Sequence, residues 1–178
     1  MEVGLYYFLE SAEDDAIGMA TAPENYSFDV LSEGVSYEDW EPVPFTLQDG
    51  IFADYQLNDL DWTLCSAKLK SVIDGNAAKD DVIQWLDAMV VDQNGKEARY
   101  YILHLPYRPE VLDKEKTIRD GEFIDTPVLD LRLVKNHRVF SYSGAGSRVI
   151  VAEEVKTAIE RAKCTGMEFW PVDDNHLT

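Results

Sequence analysis

The sequence is poor in cysteine and histidine, two residue types that often build catalytic and metal centres. It has two cysteines, Cys65 and Cys164, and three histidines among 178 residues. No C-x-x-C pair occurs, so the usual signals of a zinc site and of thioredoxin-type chemistry are missing. Both cysteines lie among apolar neighbours in stretches that we interpret as helical, where a free thiol behaves as a small buried hydrophobe.

Long apolar runs are also missing. No stretch approaches the ~18 consecutive apolar residues of a transmembrane helix. The first 15 residues have no basic start and run into Glu10, Glu13, Asp14 and Asp15, which argues against a signal peptide. We therefore expect a cytoplasmic protein that does not bind membranes.

Positive charge is scarce. The chain has 16 Lys and Arg against 34 Asp and Glu, a formal net charge of -18. Disordered acidic tails are poor in aromatic residues, whereas this chain has 4 Trp, 9 Tyr and 7 Phe, so its acidity belongs to a folded body. Such a surface repels nucleic acid and anionic lipid and attracts basic proteins. Adaptation to a salty habitat is an alternative that needs no specific partner.

The hydrophobic pattern predicts an α+β fold, with an antiparallel-rich sheet and two main helices at about residues 65–74 and 153–164. Apolar stripes at helical spacing support both helices, and Gly75 and Gly166 are expected to end them. A chain of this length is most simply one domain, residues 1–178. A less regular N-terminal subdomain over residues 1–60 is the alternative.

Strands are predicted in both halves of the chain. The run over residues 3–9 is nearly continuous in apolar residues, which suits a strand covered on both faces. Asn94 and Gly95 separate two apolar runs and both tolerate positive φ, which predicts a hairpin with a type I′ turn. Residues 128–134 alternate apolar with charged residues, as in a half-buried strand. The hairpin arms and shorter strands are expected at residues 81–92, 98–105, 44–47, 52–55, 148–152 and 167–172.

Motifs of common enzymes are not found. The chain has no G-x-S-x-G elbow and no H-E-x-x-H helix. Residues 143–147 lack the order of a phosphate-binding loop and are expected to form a hairpin turn. The oxygen-rich stretch over residues 54–61 does not follow the EF-hand order. We therefore expect no metal and no cofactor.

The histidines leave an enzymatic alternative open. His104, His137 and His176 lie far apart in sequence, on a strand, a turn and the C-terminal tail. Catalytic groups from distant positions can assemble in space, so a hydrolase-like site built from Asp, Glu and His is the alternative to a binding protein. A pocket in which carboxylates converge on His104 or His137 would favour it.

Eight residues are candidates for contact with a partner, and they fall into three clusters. Charged residues around aromatic anchors suit an interface hot spot. The alternatives are a solvated loop for the first cluster and aromatic rings that belong to the core for the other two. The clusters are Glu13, Asp14 and Asp15; Asp39 and Trp40; and Asp54, Asp59 and Asp61.

Four blocks occur in an order that resembles one bacterial family. They are a helix opened by Cys65-Ser66-Ala67-Lys68, the Trp85 strand with its Asn-Gly hairpin, a strand ending in Val139-Phe140, and residues 149–156 closed by T-G-x-x-F-x-P-V at 165–172. The succession spans residues 54–172. It resembles the predicted immunity proteins of polymorphic toxin systems, immunity family eleven.

This resemblance implies a protein that neutralises a cognate toxin by binding it, with no catalytic residues of its own. Together with the acidic composition, it predicts a basic toxin domain as the partner, and neither nucleic acid nor membrane. An acidic adaptor or scaffold protein is a further alternative. These expectations concern the kind of partner and leave the toxin's own activity open.

Overall fold

The fold is α+β, as predicted. A computed structural model describes residues 5–172, and this part of the chain contains twelve strands and three helices. The strands are β1 (Tyr6–Ser11), β2 (Ala20–Thr21), β3 (Val43–Leu47), β4 (Tyr55–Gln56), β5 (Leu64–Ser66), β6 (Gln84–Asp92), β7 (Glu97–His104), β8 (Ile118–Asp120), β9 (Phe123–Thr126), β10 (Val139–Phe140), β11 (Val149–Ala152) and β12 (Met167–Pro171). The helices are α1 (Ala67–Asn76), α2 (Leu131–Val134) and α3 (Glu153–Arg161).

The larger sheet has six strands in the order β2-β3-β6-β7-β5-β4, and its centre is the predicted hairpin of β6 and β7. All neighbouring strands run antiparallel except β3 and β6. The predicted type I′ turn is wrong, because Gly95 has a φ of 79° and Asn94 does not have positive φ. The Asp92 carboxylate instead accepts hydrogen bonds from the amides of Asn94 and Lys96 and holds a longer loop.

The smaller sheet is fully antiparallel, in the order β10-β11-β1-β12. Its inner strand β1 begins at Tyr6, while residues 3–4 of the predicted segment lie outside the described part. Phe8 and Leu9 are buried in different core clusters. Since successive side chains point to opposite faces, β1 is covered on both faces, as predicted. A two-stranded sheet, β8 and β9, lies apart from both.

Three apolar clusters form the core. The first holds α1 and α3 against both sheets and contains Leu9, Leu69, Val151 and Ile159. The second lies on the other face of the larger sheet, around Trp62, and is covered by side chains from residues 22–40. The third lies on the other face of the smaller sheet and is covered by residues 111–145. The six-stranded and four-stranded sheets are therefore each covered on both faces.

The first helix begins and ends later than predicted. Leu64–Ser66 pairs with β7, so Cys65 lies on a strand and not in a helix. The Ser66 hydroxyl then accepts a hydrogen bond from the amide of Leu69 and caps α1. Gly75 lies inside the helix, which ends at Asn76. Pairing with the neighbouring strand overrides the helical spacing of this segment.

The predicted strand over residues 128–134 is wrong. Asp130 caps α2, because its carboxylate accepts a hydrogen bond from the amide of Arg132. The Arg132 side chain holds the pKa of Asp130 down to about 2 by hydrogen bonding to the same carboxylate. Leu131 and Leu133 are exposed, so the alternation of leucines reflects one helical turn at the surface.

The remaining short strands appear near their predicted positions as β3, β4, β11 and β12, and β4 begins only at Tyr55. The second main helix, α3, ends at Arg161, and Cys164 follows it. Gly166 ends the segment after α3 with a φ of 87°. A Cβ at this position would lie 2.3 Å from the Tyr55 carbonyl oxygen, so only glycine fits. Residues 143–147 join β10 to β11 as the predicted hairpin loop.

Candidate partner-binding surface and cleft

The acidic residues are distributed unevenly along the chain. The first basic residue is Lys68, so residues 1–67 contain 15 Asp and Glu and no Lys, Arg or His. We call residues 1–67 the acid-only segment. Residues 22–40 of this segment cover the outer face of the larger sheet, so one layer of the molecule carries charge of a single sign.

Most carboxylates of the acid-only segment have no cationic partner within the described residues. Only Glu10, Glu33 and Asp54 form ion pairs, and their partners Arg148, Arg108 and Lys68 all come from the later part of the chain. The carboxylates without such a pair are all exposed. They are Glu13, Asp14, Asp15, Glu24, Asp29, Glu38, Asp39, Glu41, Asp49, Asp59 and Asp61.

Most aromatic side chains of this segment point inward, and Phe28 is the exposed exception among the described residues. Trp40, a predicted partner contact, is half-buried, and its indole N–H donates a hydrogen bond to the Asp87 carbonyl oxygen at 3.0 Å. Its ring lies 5.3 Å from the Tyr37 ring and 6.2 Å from the buried Trp62 ring. The neighbouring Asp39 is exposed. The aromatic residues therefore hold the layer in place while its carboxylates face solvent.

Glu13, Asp14 and Asp15 lie in the exposed loop after β1. The structure brings this loop beside Asp49, because the Ile51 amide donates to the Ala16 carbonyl oxygen at 3.0 Å. Gly18 packs so closely on the Asp49 backbone that a Cβ would lie 1.7 Å from its carbonyl oxygen. Two acidic stretches that are far apart in sequence thus form one patch.

Asp54 is placed differently from the other candidates, because its carboxylate is used inside the chain. It accepts hydrogen bonds from the Ser66 hydroxyl at 2.6 Å and from the Thr165 amide at 2.9 Å, and it pairs with Lys68 at 3.5 Å. The Tyr55 amide also donates to the Thr165 carbonyl oxygen. Thr165 and Gly166, in the most specific part of the resemblance, therefore serve to dock the end of α3 on this loop.

Asp59 and Asp61 line a cleft of about 890 Å³. The cleft lies between the two sheets, and its rim is formed by residues 28–33, 59–63 and 144–149. Its apolar floor contains the buried residues Trp62, Leu103 and Leu105. A cleft of this size is in the range that binds small molecules or several side chains of a partner.

A buried asparagine holds the loop that carries both aspartates. The Asn58 side chain accepts hydrogen bonds from the amides of Leu60 and Trp62 and donates to the carbonyl oxygens of Gln56 and Trp62. Asp61 has a φ of 55°, in the left-handed region that few residues other than glycine adopt. The loop is therefore fixed in an unusual conformation that keeps Asp61 exposed beside the buried Trp62.

Two arginines also line the cleft, and both are engaged with neighbouring groups. The Arg148 guanidinium binds Glu10 at 2.9 Å and stacks on the Phe8 ring. Arg108 donates to the Gly146 carbonyl oxygen at 2.7 Å and lies 3.9 Å from Glu33. Burial lowers the pKa of Arg108, and Glu33 opposes that shift. Within the described residues, Asp29, Asp59 and Asp61 remain as cleft carboxylates without a cation.

The histidines are not joined into one site. His104 lines the cleft but is buried, and its Nε2 lies 2.6 Å from the Val35 carbonyl oxygen. Burial lowers its pKa. His137 lies elsewhere, 3.2 Å from Asp81, which accepts hydrogen bonds from several backbone amides. His176 lies outside the described residues. No group of three or more His, Cys, Asp or Glu is arranged to hold a metal within residues 5–172.

The structure is that of an α+β protein with an acidic cleft between its two larger sheets. A family model described as the Immunity protein family (Imm11) matches residues 43–174. This is about three quarters of the chain, and the chain belongs to that family. The predicted membership is thus confirmed, and it points to an immunity-type, non-catalytic role. No curated protein matches the chain. Within the described residues, no helix has the length and apolar character that a bilayer crossing requires.

The sequence predictions missed part of this site. Asp29 and Phe28 line the cleft but were not among the candidates, because they precede Asp59 by some thirty residues and only the fold brings them together. The absence of basic residues before Lys68, in contrast, is visible in the sequence and indicates the acid-only segment directly. Whether any of the eight candidates contacts a partner stays a prediction.

Proposed function

We propose that this protein binds a cognate bacterial toxin in the cytoplasm and neutralises it by covering a basic surface with the acid-only segment. Membership in the immunity family supports a protective role. The single observation that supports an electrostatic mode of binding is the run of 67 residues without Lys, Arg or His. Toxins that attack nucleic acid need a basic groove, and an acidic cover competes with the phosphate backbone for it.

The arrangement of the acid-only segment suits rapid and tight binding. Its exposed carboxylates raise the rate of encounter with a basic partner by roughly 10- to 1000-fold at low salt. Its aromatic side chains are already packed, as in Tyr37 and Trp40, so little ordering accompanies binding. The carboxylates then set the association rate, and close contacts at the cleft set the dissociation rate.

The test is co-expression with the toxin domain encoded beside the gene. Wild-type protein is expected to restore growth, and the purified pair is expected to bind with a rate constant that falls as salt rises. An unrelated acidic protein of similar charge is the control for a general charge effect. Failure to restore growth, with both proteins folded and expressed, would overturn the proposal.

His104 in an acidic cleft is the specific observation that favours an enzyme as the second candidate. A hydrolase-like role would need the free nitrogen of His104 and at least one cleft carboxylate. The substitution His104→Gln separates the two functions. Under the binding proposal the folded variant still protects cells, whereas under the enzyme alternative it loses protection while still binding the toxin.

A further inference from the structure

Resting on the proposed function, we propose that the cleft receives an arginine or lysine side chain from a loop of the toxin. The surrounding acid-only segment would attract the toxin in general, and the cleft would select this one cationic side chain. The proposal rests on the charge that remains in the cleft, on the rigidity of its rim and on the aromatic ring at its mouth.

The charge that remains in the cleft is negative. Arg148 is paired with Glu10 at 2.9 Å, and Arg108 lies 3.9 Å from Glu33, although its buried Nε has no hydrogen-bond partner among the described residues. Asp29, Asp59 and Asp61 have no cationic partner among the described residues, and the first two accept hydrogen bonds only from neutral groups, the Ser27 hydroxyl and the Ala22 amide. A guanidinium or ammonium group would neutralise these carboxylates and donate hydrogen bonds to them, whereas an anion would be repelled by them.

The rim of the cleft is braced before any partner arrives. Asp61 and the Ser147 hydroxyl are 3.3 Å apart, and Glu33 and the Ser143 hydroxyl are 3.2 Å apart, which ties loops from different parts of the chain together. Asn58 fixes the left-handed backbone of Asp61. Backbone strain of this kind persists where the surroundings over-determine it, and it is frequent at ligand-binding positions.

The mouth of the cleft presents one exposed aromatic ring. Phe28 is 74% exposed, whereas the other aromatic residues between residues 22 and 40, which are Tyr26, Tyr37 and Trp40, are half-buried. The Phe28 carbonyl oxygen accepts a hydrogen bond from the Trp62 indole at 3.3 Å, which holds this turn against the cleft. A ring at the edge of an acidic groove can stack on an incoming guanidinium.

The first experiment titrates the ¹⁵N-labelled full chain with capped arginine amide, at physiological salt, and follows amide shifts by NMR. Shifts are expected at residues 59–63 and 144–148. The double variant Asp59→Asn and Asp61→Asn should weaken this binding about tenfold, because asparagine keeps the hydrogen bonds and tolerates left-handed backbone. The double variant Asp15→Asn and Asp49→Asn is the matched control, since it removes two exposed charges of the same segment outside the cleft.

The probes distinguish the alternatives. If capped norleucine amide shifts the same residues equally, the cleft is an apolar site and the proposal is wrong. If inorganic phosphate binds at Arg108, whose buried Nε has no hydrogen-bond partner, the cleft is an anion site and the proposal is also wrong. If the control double variant weakens arginine binding as much as the cleft double variant, a general field explains the binding and the cleft has no special role.

The second experiment uses the neighbouring toxin domain and separates this inference from the proposed function. The cleft double variant is expected to bind the toxin at least about tenfold more weakly than the control double variant does. Equal affinities would contradict the proposed role of the cleft and would leave the proposed neutralisation of the toxin standing. Asp29→Asn serves as an independent variant should the cleft double variant lose its thermal transition. If the wild-type chain does not neutralise the toxin, the proposed function fails, and the arginine titration still decides the cleft.

Discussion

The acid-only segment and the rest of the chain differ in how many cations lie close to their carboxylates. Residues 68–178 contain 19 carboxylates and all 16 Lys and Arg, so acids there often have a neighbouring cation, as in Asp87 with Arg99 and Asp74 with Lys70. Residues 1–67 have no basic side chain, and the three ion pairs of their described part all use a cation from residues 68–178. Mutual repulsion among these carboxylates disfavours folding, and binding of a basic partner of the kind proposed would relieve it.

The two regions are held together by apolar packing and by hydrogen bonds. Trp62, Tyr37 and Trp40 anchor the acid-only layer on the larger sheet, and the Thr165–Asp54 contact joins its end to α3. These contacts do not depend on salt in the way that exposed charges do. The fold of the acid-only segment is therefore expected to survive changes that abolish its attraction for a partner. Four predictions follow this contrast, from the largest effect to the smallest.

The strongest disruption should come from Gly166→Ala, at the junction of the two regions. The new Cβ would clash with the Tyr55 carbonyl oxygen and with Ala53, in addition to straining a φ of 87°. The free energy of unfolding should fall by at least about 3 kcal/mol. Urea denaturation measures it. Gly121→Ala is the control, because that position also has positive φ but open space, and it should lose only about 1 kcal/mol.

Next in size is Asn58→Ala, inside the acid-only segment. The substitution removes the side-chain partner of buried backbone groups of Leu60 and Trp62, which should lower the free energy of unfolding by about 2–3 kcal/mol. It should also weaken toxin binding. Asn94→Ala in the exposed hairpin loop is the matched control, and its stability should change little. Equal effects of the two variants would contradict the role given to Asn58.

Neutralising exposed charge should affect binding kinetics and leave stability unchanged or slightly raised. The variant Glu38→Gln, Asp39→Asn and Glu41→Gln should lower the association rate constant with the toxin by about 3- to 10-fold at low salt. The matched variant Asp120→Asn, Glu122→Gln and Asp125→Asn removes the same charge from the β8–β9 hairpin, where all three are exposed. Stopped-flow measurement should show a smaller change for it. Equal changes would remove the distinction between the two regions.

The smallest expected effect is a dependence of stability on pH at His104. Burial lowers the pKa of His104 in the folded state, and the positive charge of Arg108 adds to this lowering. The unfolded chain therefore takes up the proton first, so the free energy of unfolding should fall as pH drops below about 6.5. In His104→Gln this part of the dependence should disappear. A pH series of thermal melts checks it, and an unchanged slope would contradict the assignment.

Local signals predicted much of the architecture. Three predicted elements are present: the Asn94-Gly95 hairpin, the apolar strand β1 and the amphipathic helix α3. In each of them the apolar side chains that form the sequence pattern are the ones that pack in the core. The predictions failed where the side chain of a single residue changed the local secondary structure by hydrogen bonding to the backbone. Ser66 caps a helix that begins after a strand, Asp130 caps a helical turn in an alternating segment, and Asp92 changes the hairpin turn.

For the candidate site, sequence reasoning found the acidic residues and did not find their arrangement. Asp59 and Asp61 were predicted, and they line the cleft, while Asp54 turned out to hold the end of α3 through Thr165. The three carboxylates are close in sequence and equal in type. What separates them is which backbone amides and hydroxyls lie nearby in the fold, and no local pattern records that.

The amino-acid sequence alone determined the net charge, the confinement of basic residues to positions after 67, the α+β class and the family. These depend on composition and on patterns a few residues long. The tertiary structure alone decided that Asp29, Asp59 and Asp61 share one cleft and that Trp40 is turned inward. That difference has a physical reason. The net charge of a chain is the same in any fold, whereas a cleft exists only where distant segments pack against each other.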